Sequence, residues 1–174
     1  MPQRGTKSRK GFANTFVPFV LLCGCVHLVS PVSRAQAAGT CAPAQIQLQA
    51  AELAASQNDF TTAANRYQQA IQIAPACAEA LVNLGAMYNR LNRPDDAITA
   101  FQRAAAKNPQ LFAAHLNLGI TYFSTRRFNE AKDSLRNALK LNPQHTQARQ
   151  LLALTLVATE DFAAAASEFE QLVK

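Results

Sequence analysis

Apolar positions recur along this chain at two periods at once, the spacing of a helical turn and a much longer step of thirty-four residues. Within residues 78–91, Leu81, Leu84, Gly85 and Tyr88 fall three or four apart and form one stripe of a helix. Residues 94–107 do the same through Ala97, Ile98, Phe101 and Ala104. The longer period links Pro75, Pro109 and Pro143, then Gly85 and Gly119, then Tyr88 and Tyr122. Ala63, Ala97, Ala131 and Ala165 keep the same step, as do Ala70, Ala104 and Ala138. Tyr67, Phe101, Leu135 and Phe169 form a rung that is large and apolar throughout. Several ladders in one register are the mark of stacked repeats, each a supersecondary unit that needs its neighbours to bury its apolar face.

Each rung has a physical task. Two helices joined by the turn Leu91-Asn92-Arg93 form an antiparallel hairpin, and where they cross closely only small side chains fit. The pattern therefore predicts Gly85 facing Ala97 and Gly119 facing Ala131, with Tyr88 and Phe101 filling the space on either side. Asn108-Pro109 and Asn142-Pro143 end the second helix of a pair, because proline lacks an amide donor and clashes with the preceding turn. Pro94 stands at a helix start, where its missing donor costs nothing.

Leu81-x2-Leu84-Gly85-x2-Tyr88, followed by Ala97, Phe101, Ala104 and Pro109, resembles the tetratricopeptide repeat. Leu118, Gly119, Tyr122, Ala131, Leu135, Ala138 and Pro143 repeat the match, with His115 where the family usually has a large apolar residue. The outer units are weaker. The first has Ala50-Ala51 for the Leu-Gly pair and Ala54 in place of the tyrosine, while the fourth has Leu152-Ala153, Leu156, Ala165 and Phe169. The resulting division is a leader over 1–37, a short linker over 38–43 and a repeat domain over 44–174. That domain has units 44–77, 78–111, 112–145 and 146–174. The resemblance implies an all-α, right-handed superhelical solenoid of about eight helices in antiparallel pairs.

It also implies a concave groove lined by the first helix of each unit. In the second unit the groove positions are Glu79, Val82, Asn83, Ala86, Asn89 and Arg90. In the third they are Ala113, Leu116, Asn117, Ile120, Phe123 and Ser124. Leu48, Glu52, Gln147, Gln150, Leu154 and Val157 flank them. Asn83 and Asn117 are expected to meet the backbone of an extended peptide, and Leu116, Ile120 and Phe123 to form an apolar pocket. Relatives that dock chaperone tails hold a terminal carboxylate with Lys or Arg on this face. Here Arg90 alone is basic, so a moderately apolar peptide or partner helix fits better than a charged tail.

The formal charge of +6 first suggests a polyanion partner. Its location removes that reading. Arg4, Lys7, Arg9, Lys10 and Arg34 account for five of the 17 basic residues, and no acidic residue stands among the first 37. The remainder is nearly neutral, which excludes a nucleic-acid footprint. Residues 1–37 read instead as an export signal: a basic start, an apolar run around Val17 to Leu22, and Ala35-Gln36-Ala37 before a cleavage site after Ala37 or Ala38. Ser8-Arg9-Lys10-Gly11-Phe12 is a variant of a twin-arginine motif, and Leu22-Cys23-Gly24-Cys25 a variant of a lipid-attachment box. The expected location is extracytoplasmic, periplasmic or secreted. The alternative is a membrane tether through residues 12–29 or lipid on Cys25.

Of the four cysteines, Cys41 and Cys77 remain after such a cut, an even pair in an oxidising compartment. They precede the first helices of neighbouring units, whose starts lie about 10 Å apart. That is slightly beyond disulfide reach, and the Gly39-Thr40 approach is flexible enough to close the gap. Both a Cys41–Cys77 disulfide and two unlinked thiols remain open at this point.

Catalytic groups do not converge. His115 has no His, Asp or Glu at ligand spacing on its helical face, and the six glycines form no phosphate loop. Asp95, Asp96, Glu130, Asp133, Glu160 and Asp161 cluster at the starts of second helices, where the helix dipole favours negative charge. The reading is a non-catalytic scaffold with a protein or peptide partner and no cofactor, metal, nucleic acid or small-molecule substrate. The alternative is a membrane-tethered assembly factor of an envelope complex. A last helix ending in Phe169-Glu170-Gln171-Leu172-Val173-Lys174, without a polar capping helix, adds a candidate surface for self-association.

Overall fold

The computed structural model describes residues 40–173, and these are helical throughout, with no strand among them. A short 3-10 turn, Ala42–Ala44, leads into α1 (Gln45–Ser56) and α2 (Phe60–Ile73). The second unit is α3 (Ala78–Arg90) and α4 (Pro94–Lys107), and the third is α5 (Phe112–Ser124) and α6 (Phe128–Leu141). The fourth is α7 (Thr146–Ala158) and α8 (Phe162–Leu172). Each helix packs mainly on its neighbours in sequence, while α3 also touches α5 and α5 touches α7. The first helices therefore line up on one side of a helical solenoid. The export signal, the candidate tether over 12–29, Cys25 and Lys174 lie outside the described residues. Among those described, no helix is long and apolar enough to cross a membrane.

The turn inside each unit is the same device four times. Asn58, Asn92, Arg126 and Glu160, thirty-four residues apart, have φ of 61°, 57°, 60° and 60°. The residue after each sends its N–H back to the first helix: Asp59 to Ala54, Arg93 to Tyr88, Arg127 to Tyr122 and Asp161 to Leu156, at 2.8–3.0 Å. This Schellman closure satisfies the carbonyls that a helix end would otherwise leave unpaired. Asn tolerates the left-handed backbone, whereas Arg and Glu do so at a cost of about 1–2 kcal/mol. Glu160 thus differs from the sequence reading, which put it at a helix start; it is the turn residue, while Asp161 caps α8. Arg126→Gly is expected to raise stability by about 0.5–1 kcal/mol, read as a higher urea midpoint.

The second helices start in two ways. In the outer units Asp59 and Asp161 accept hydrogen bonds from the amides of Thr62 and Ala164, and the Thr62 contacts hold Asp59 below the usual carboxylate range. In the inner units arginines occupy the same register. Arg93 pairs with Asp96 at 2.7 Å and stacks over Tyr88, and Arg127 pairs with Glu130 at 3.0 Å and stacks over Tyr122. The two tyrosines are also tied to the preceding unit, because Gln68 donates to the Tyr88 hydroxyl and Gln102 to that of Tyr122.

The core follows the ladders. Tyr67, Phe101 and Leu135 are fully buried, as are Ala63, Ala97 and Ala131. Phe169 on the same rung is 39% exposed, because among the described residues no further first helix packs over α8. The glycines require a correction. A Cβ on Gly85 would sit 2.6 Å from the Phe101 ring, and one on Gly119 would sit 2.6 Å from Leu135. Each glycine therefore makes room for the large rung rather than for the alanine opposite.

Burial, with the Glu52 carboxylate as a smaller cause, pushes the Tyr67 phenol up to about 12. The Asn83 side chain opposes the shift, although neither its Oδ1 nor the Tyr67 hydroxyl makes a hydrogen bond of ordinary geometry. Between pH about 10, where an unfolded tyrosine loses its proton, and about 12, the folded chain holds a proton that the unfolded chain has released. Stability from this group is complete below that window and is lost as pH rises through it. Urea midpoints should fall between those pH values in the parent chain, and Tyr67→Phe should flatten that part of the fall.

Candidate functional site

Alignment of α3, α5 and α7 opens a groove of about 640 Å³ on the concave side. Its walls include Ala86, Asn89 and Arg90 from α3, Asn117, Ile120 and Ser124 from α5, and Gln147, Gln150 and Leu154 from α7. These positions were all legible from the repeat register. Thr121, Thr125, Leu151, the turn residue Asn92 and Pro94 at the start of α4 also line it, and the register alone did not indicate them. Leu151 occupies the position of Asn83 and Asn117 one unit further on, so a departure from the pattern concealed it. Thr121 is 1% exposed and acts as a link. Its hydroxyl accepts from Asn89 Nδ2 at 2.8 Å and donates to the Asn117 carbonyl at 2.8 Å.

Other groove positions lie elsewhere. Val82 is 1% exposed and Leu116 fully buried, because adjacent first helices pack together over that position and turn it into core. Phe123 is partly buried and meets Phe128 edge to face at 5.7 Å, so the apolar pocket expected from Leu116, Ile120 and Phe123 does not assemble. Ile120, Leu151 and Leu154 supply the apolar wall instead. Asn83 is half-buried, with its Oδ1 lacking a partner, and it does not line this groove. Ala113 is also buried.

Charge within the groove is sparse. Arg90 is the one charged lining residue, and its guanidinium lies 4.6 Å over the Phe60 ring. Arg149, on α7, is turned to α8 and pairs with Glu168 at 2.8 Å. Asn117 stands out among the polar groups: it is 4% exposed, lines the groove, and its Nδ2 has no hydrogen-bond partner. An unmatched buried donor of this kind costs about 1–3 kcal/mol.

Cys41 and Cys77 are joined, with sulfurs 2.11 Å apart and Cα atoms 4.8 Å apart. The Cα separation is shorter than the spacing of helix starts because Cys41 precedes α1 by the 3-10 turn Ala42–Ala44, not by a straight continuation of the helix. Glu79, assigned to the groove by register, lies against this bridge, its Oε2 3.3 Å from Cys41 Sγ. A disulfide sulfur has no proton to donate, so this is a contact and not a hydrogen bond. Cys41, Cys77 and Glu79 have ligand atoms within 4.8 Å of one another, but with both sulfurs bonded to each other the set offers a metal one carboxylate. His115 hydrogen-bonds the Pro109 carbonyl at 2.9 Å. His145 caps α7, its Nδ1 accepting the Ala148 amide at 3.1 Å. Both histidines thus have structural partners.

Known proteins place this architecture. The curated proteins contain no sequence match to the chain. Among solved structures, the MamA protein superposes with a TM-score of 0.71 at 23% identity, over 75% of this chain and 72% of that one. The first repeat domain of Spaghetti (RPAP3), solved with the HSP90 peptide SRMEEVD bound, gives 0.67 at 21% identity, over 69% and 95%. The Sgt2 repeat domain of Aspergillus fumigatus gives 0.64 at 21%, over 71% and 83%. These likenesses establish the fold. Family models described as the tetratricopeptide repeat match residues 48–112 and 112–145, and with the eight-helix register they make this chain a member of the tetratricopeptide repeat family.

Proposed function

We propose that this chain is a non-catalytic interaction scaffold, exported from the cytoplasm, that holds a segment of a partner protein in its concave groove. The observation that carries this reading is the groove itself: about 640 Å³, within the range of about 300–1,000 Å³ typical of ligand sites. It has an apolar wall at Ile120, Leu151 and Leu154 and polar groups at Asn117, Gln147 and Gln150. Leu154 and Val157 are 49% and 42% exposed, apolar surface on α7 that a partner would cover. The RPAP3 domain with its bound peptide supports the reading by analogy of fold. Export rests on the basic-then-apolar leader and on the Cys41–Cys77 bridge, which suits an oxidising compartment.

A second reading, a membrane-tethered assembly factor, is favoured by the apolar run within residues 12–29 and by Cys25. The two readings separate on intact mass and fractionation of the mature protein. A soluble product beginning near Ala38 supports export and release, and a membrane-bound product retaining residues 1–37 or starting at Cys25 supports the tether. The groove is tested by placing a photo-crosslinking side chain at Leu154 in the source cells. A discrete crosslinked partner is expected, lost when Ile120→Asp is added. Crosslinks indifferent to Ile120→Asp would remove the groove from the mechanism. Leu116 is unsuited to this test, since a carboxylate there would enter the core.

A further inference from the structure

We infer that in its dithiol form the chain binds a thiophilic divalent cation of the zinc class through Cys41, Cys77 and Glu79. The site stands apart from the concave groove and does not depend on a partner there.

Three ligand atoms of suitable chemistry are already together. The two sulfurs and a Glu79 carboxylate oxygen lie within 4.8 Å of one another. Cys77 and Glu79 are placed by the start of α3, and Cys41 by the 3-10 turn before α1. Thiolates on one tetrahedral zinc stand about 3.8 Å apart, a span that suits side chains rooted on Cα atoms 4.8 Å apart. Glu79 Oε2, 3.3 Å from Cys41 Sγ, supplies a third corner of the tetrahedron, and water the fourth. In the bridged chain that carboxylate has no task. The sulfur beside it carries no proton, and Glu79 pairs with no cation among the described residues.

Burial and charge favour the ion. Cys41 is 6% exposed and Cys77 fully buried, so thiolates there are costly unless a dication offsets them. Cys77 is the N-cap residue of α3 and Glu79 lies in its first turn, where the helix dipole favours negative charge. A carboxylate beside two thiolates suits zinc better than copper(I), for which oxygen is a poor ligand.

The chain is made with its cysteines as thiols, so the metal form precedes the bridge. Binding expels the two thiol protons to solvent. A disulfide-bearing oxidant then takes two electrons from the paired sulfurs, gains two protons on its own thiols, and the ion is released. Ion and bridge are alternatives at one place, and each ties the start of α1 to α3.

The test uses the full chain with Cys23→Ser and Cys25→Ser, so that no other thiol competes. Reduced with a phosphine and freed of metal, it is titrated with Co2+ and then with Zn2+. The expected result is one Co2+ per chain, with a near-ultraviolet thiolate-to-cobalt band and the visible bands of a four-coordinate ion, displaced by Zn2+. Glu79→Gln should weaken cobalt binding at least about tenfold with helicity unchanged by circular dichroism. Cys77→Ser and the oxidised parent should show no thiolate band. Zinc should also slow alkylation of both thiols in the parent, and less so in Glu79→Gln. Affinity indifferent to Glu79→Gln would overturn the three-ligand site. No thiolate band, binding only at about 1 mM cobalt or above, or alkylation unslowed by zinc would overturn metal binding altogether.

Discussion

Gly85→Ala is expected to lower the stability of the folded chain by about 2–3 kcal/mol, a large effect for one methyl group. The new Cβ would stand 2.6–2.8 Å from three carbons of the Phe101 ring, and that ring is fully buried on the central rung of the core. It has no free space to swing into, because interiors are close-packed. Phe101→Ala should by itself cost about 3–5 kcal/mol through the cavity it leaves. The double variant should cost clearly less than the two single effects added, since removing the ring frees the space that the methyl group needs. Urea unfolding followed by circular dichroism gives the three values. Simple additivity would mean that the glycine serves backbone flexibility and not the ring. Gly119 and Leu135 form the same pair one unit later, at 2.6 Å, and should behave alike.

Cys77→Ser is expected to cost about 3–4 kcal/mol, with the damage concentrated in the first unit. The bridge joins residues separated by 36 in sequence, so its loss releases a long loop in the unfolded chain. What makes the effect local is the poverty of α1. That helix buries Ala51 and Ala54 alone, small side chains, while Ile46 and Leu53 are 77% and 61% exposed. By contrast α3 buries nine residues, among them Leu81, Val82 and Leu84. Little but the bridge therefore holds α1 and its 3-10 turn to the second unit. Hydrogen exchange should show α1 amides losing protection in Cys77→Ser, while α5 to α7 keep theirs. Uniform loss across all units would mean that the bridge stabilises the solenoid as a whole.

The functional reading depends on side-chain direction, and here sequence and structure divide. Register alone brought Ala86, Asn89, Asn117, Ile120, Gln150 and Leu154 to one groove. It could do so because a step of thirty-four residues returns each position to the same place on successive first helices. Register could not separate Leu116 from Ile120, four residues apart on the same stripe. Leu116 is fully buried and Ile120 lines the groove, a difference decided by how closely α5 approaches its neighbours. Glu79 is a similar case, drawn to the Cys41–Cys77 bridge by the path of the chain before α1.

By itself, then, the sequence determined the number of helices, their pairing and their ends. Those depend on local chemistry: apolar stripes at helical spacing, prolines that stop a helix, and turn residues at a constant step. The repeated left-handed turn belongs here too, although Arg126 and Glu160 hide it, since neither side chain advertises a positive φ. Tertiary structure alone decided that Gly85 makes room for Phe101, that Arg90 rests on Phe60, and that Asn117 is drawn into the interior with its amide nitrogen unpaired. Each of these is set by distances between helices from different parts of the chain. Periodicity fixes which residues share a face, but close packing decides which of them reach the solvent.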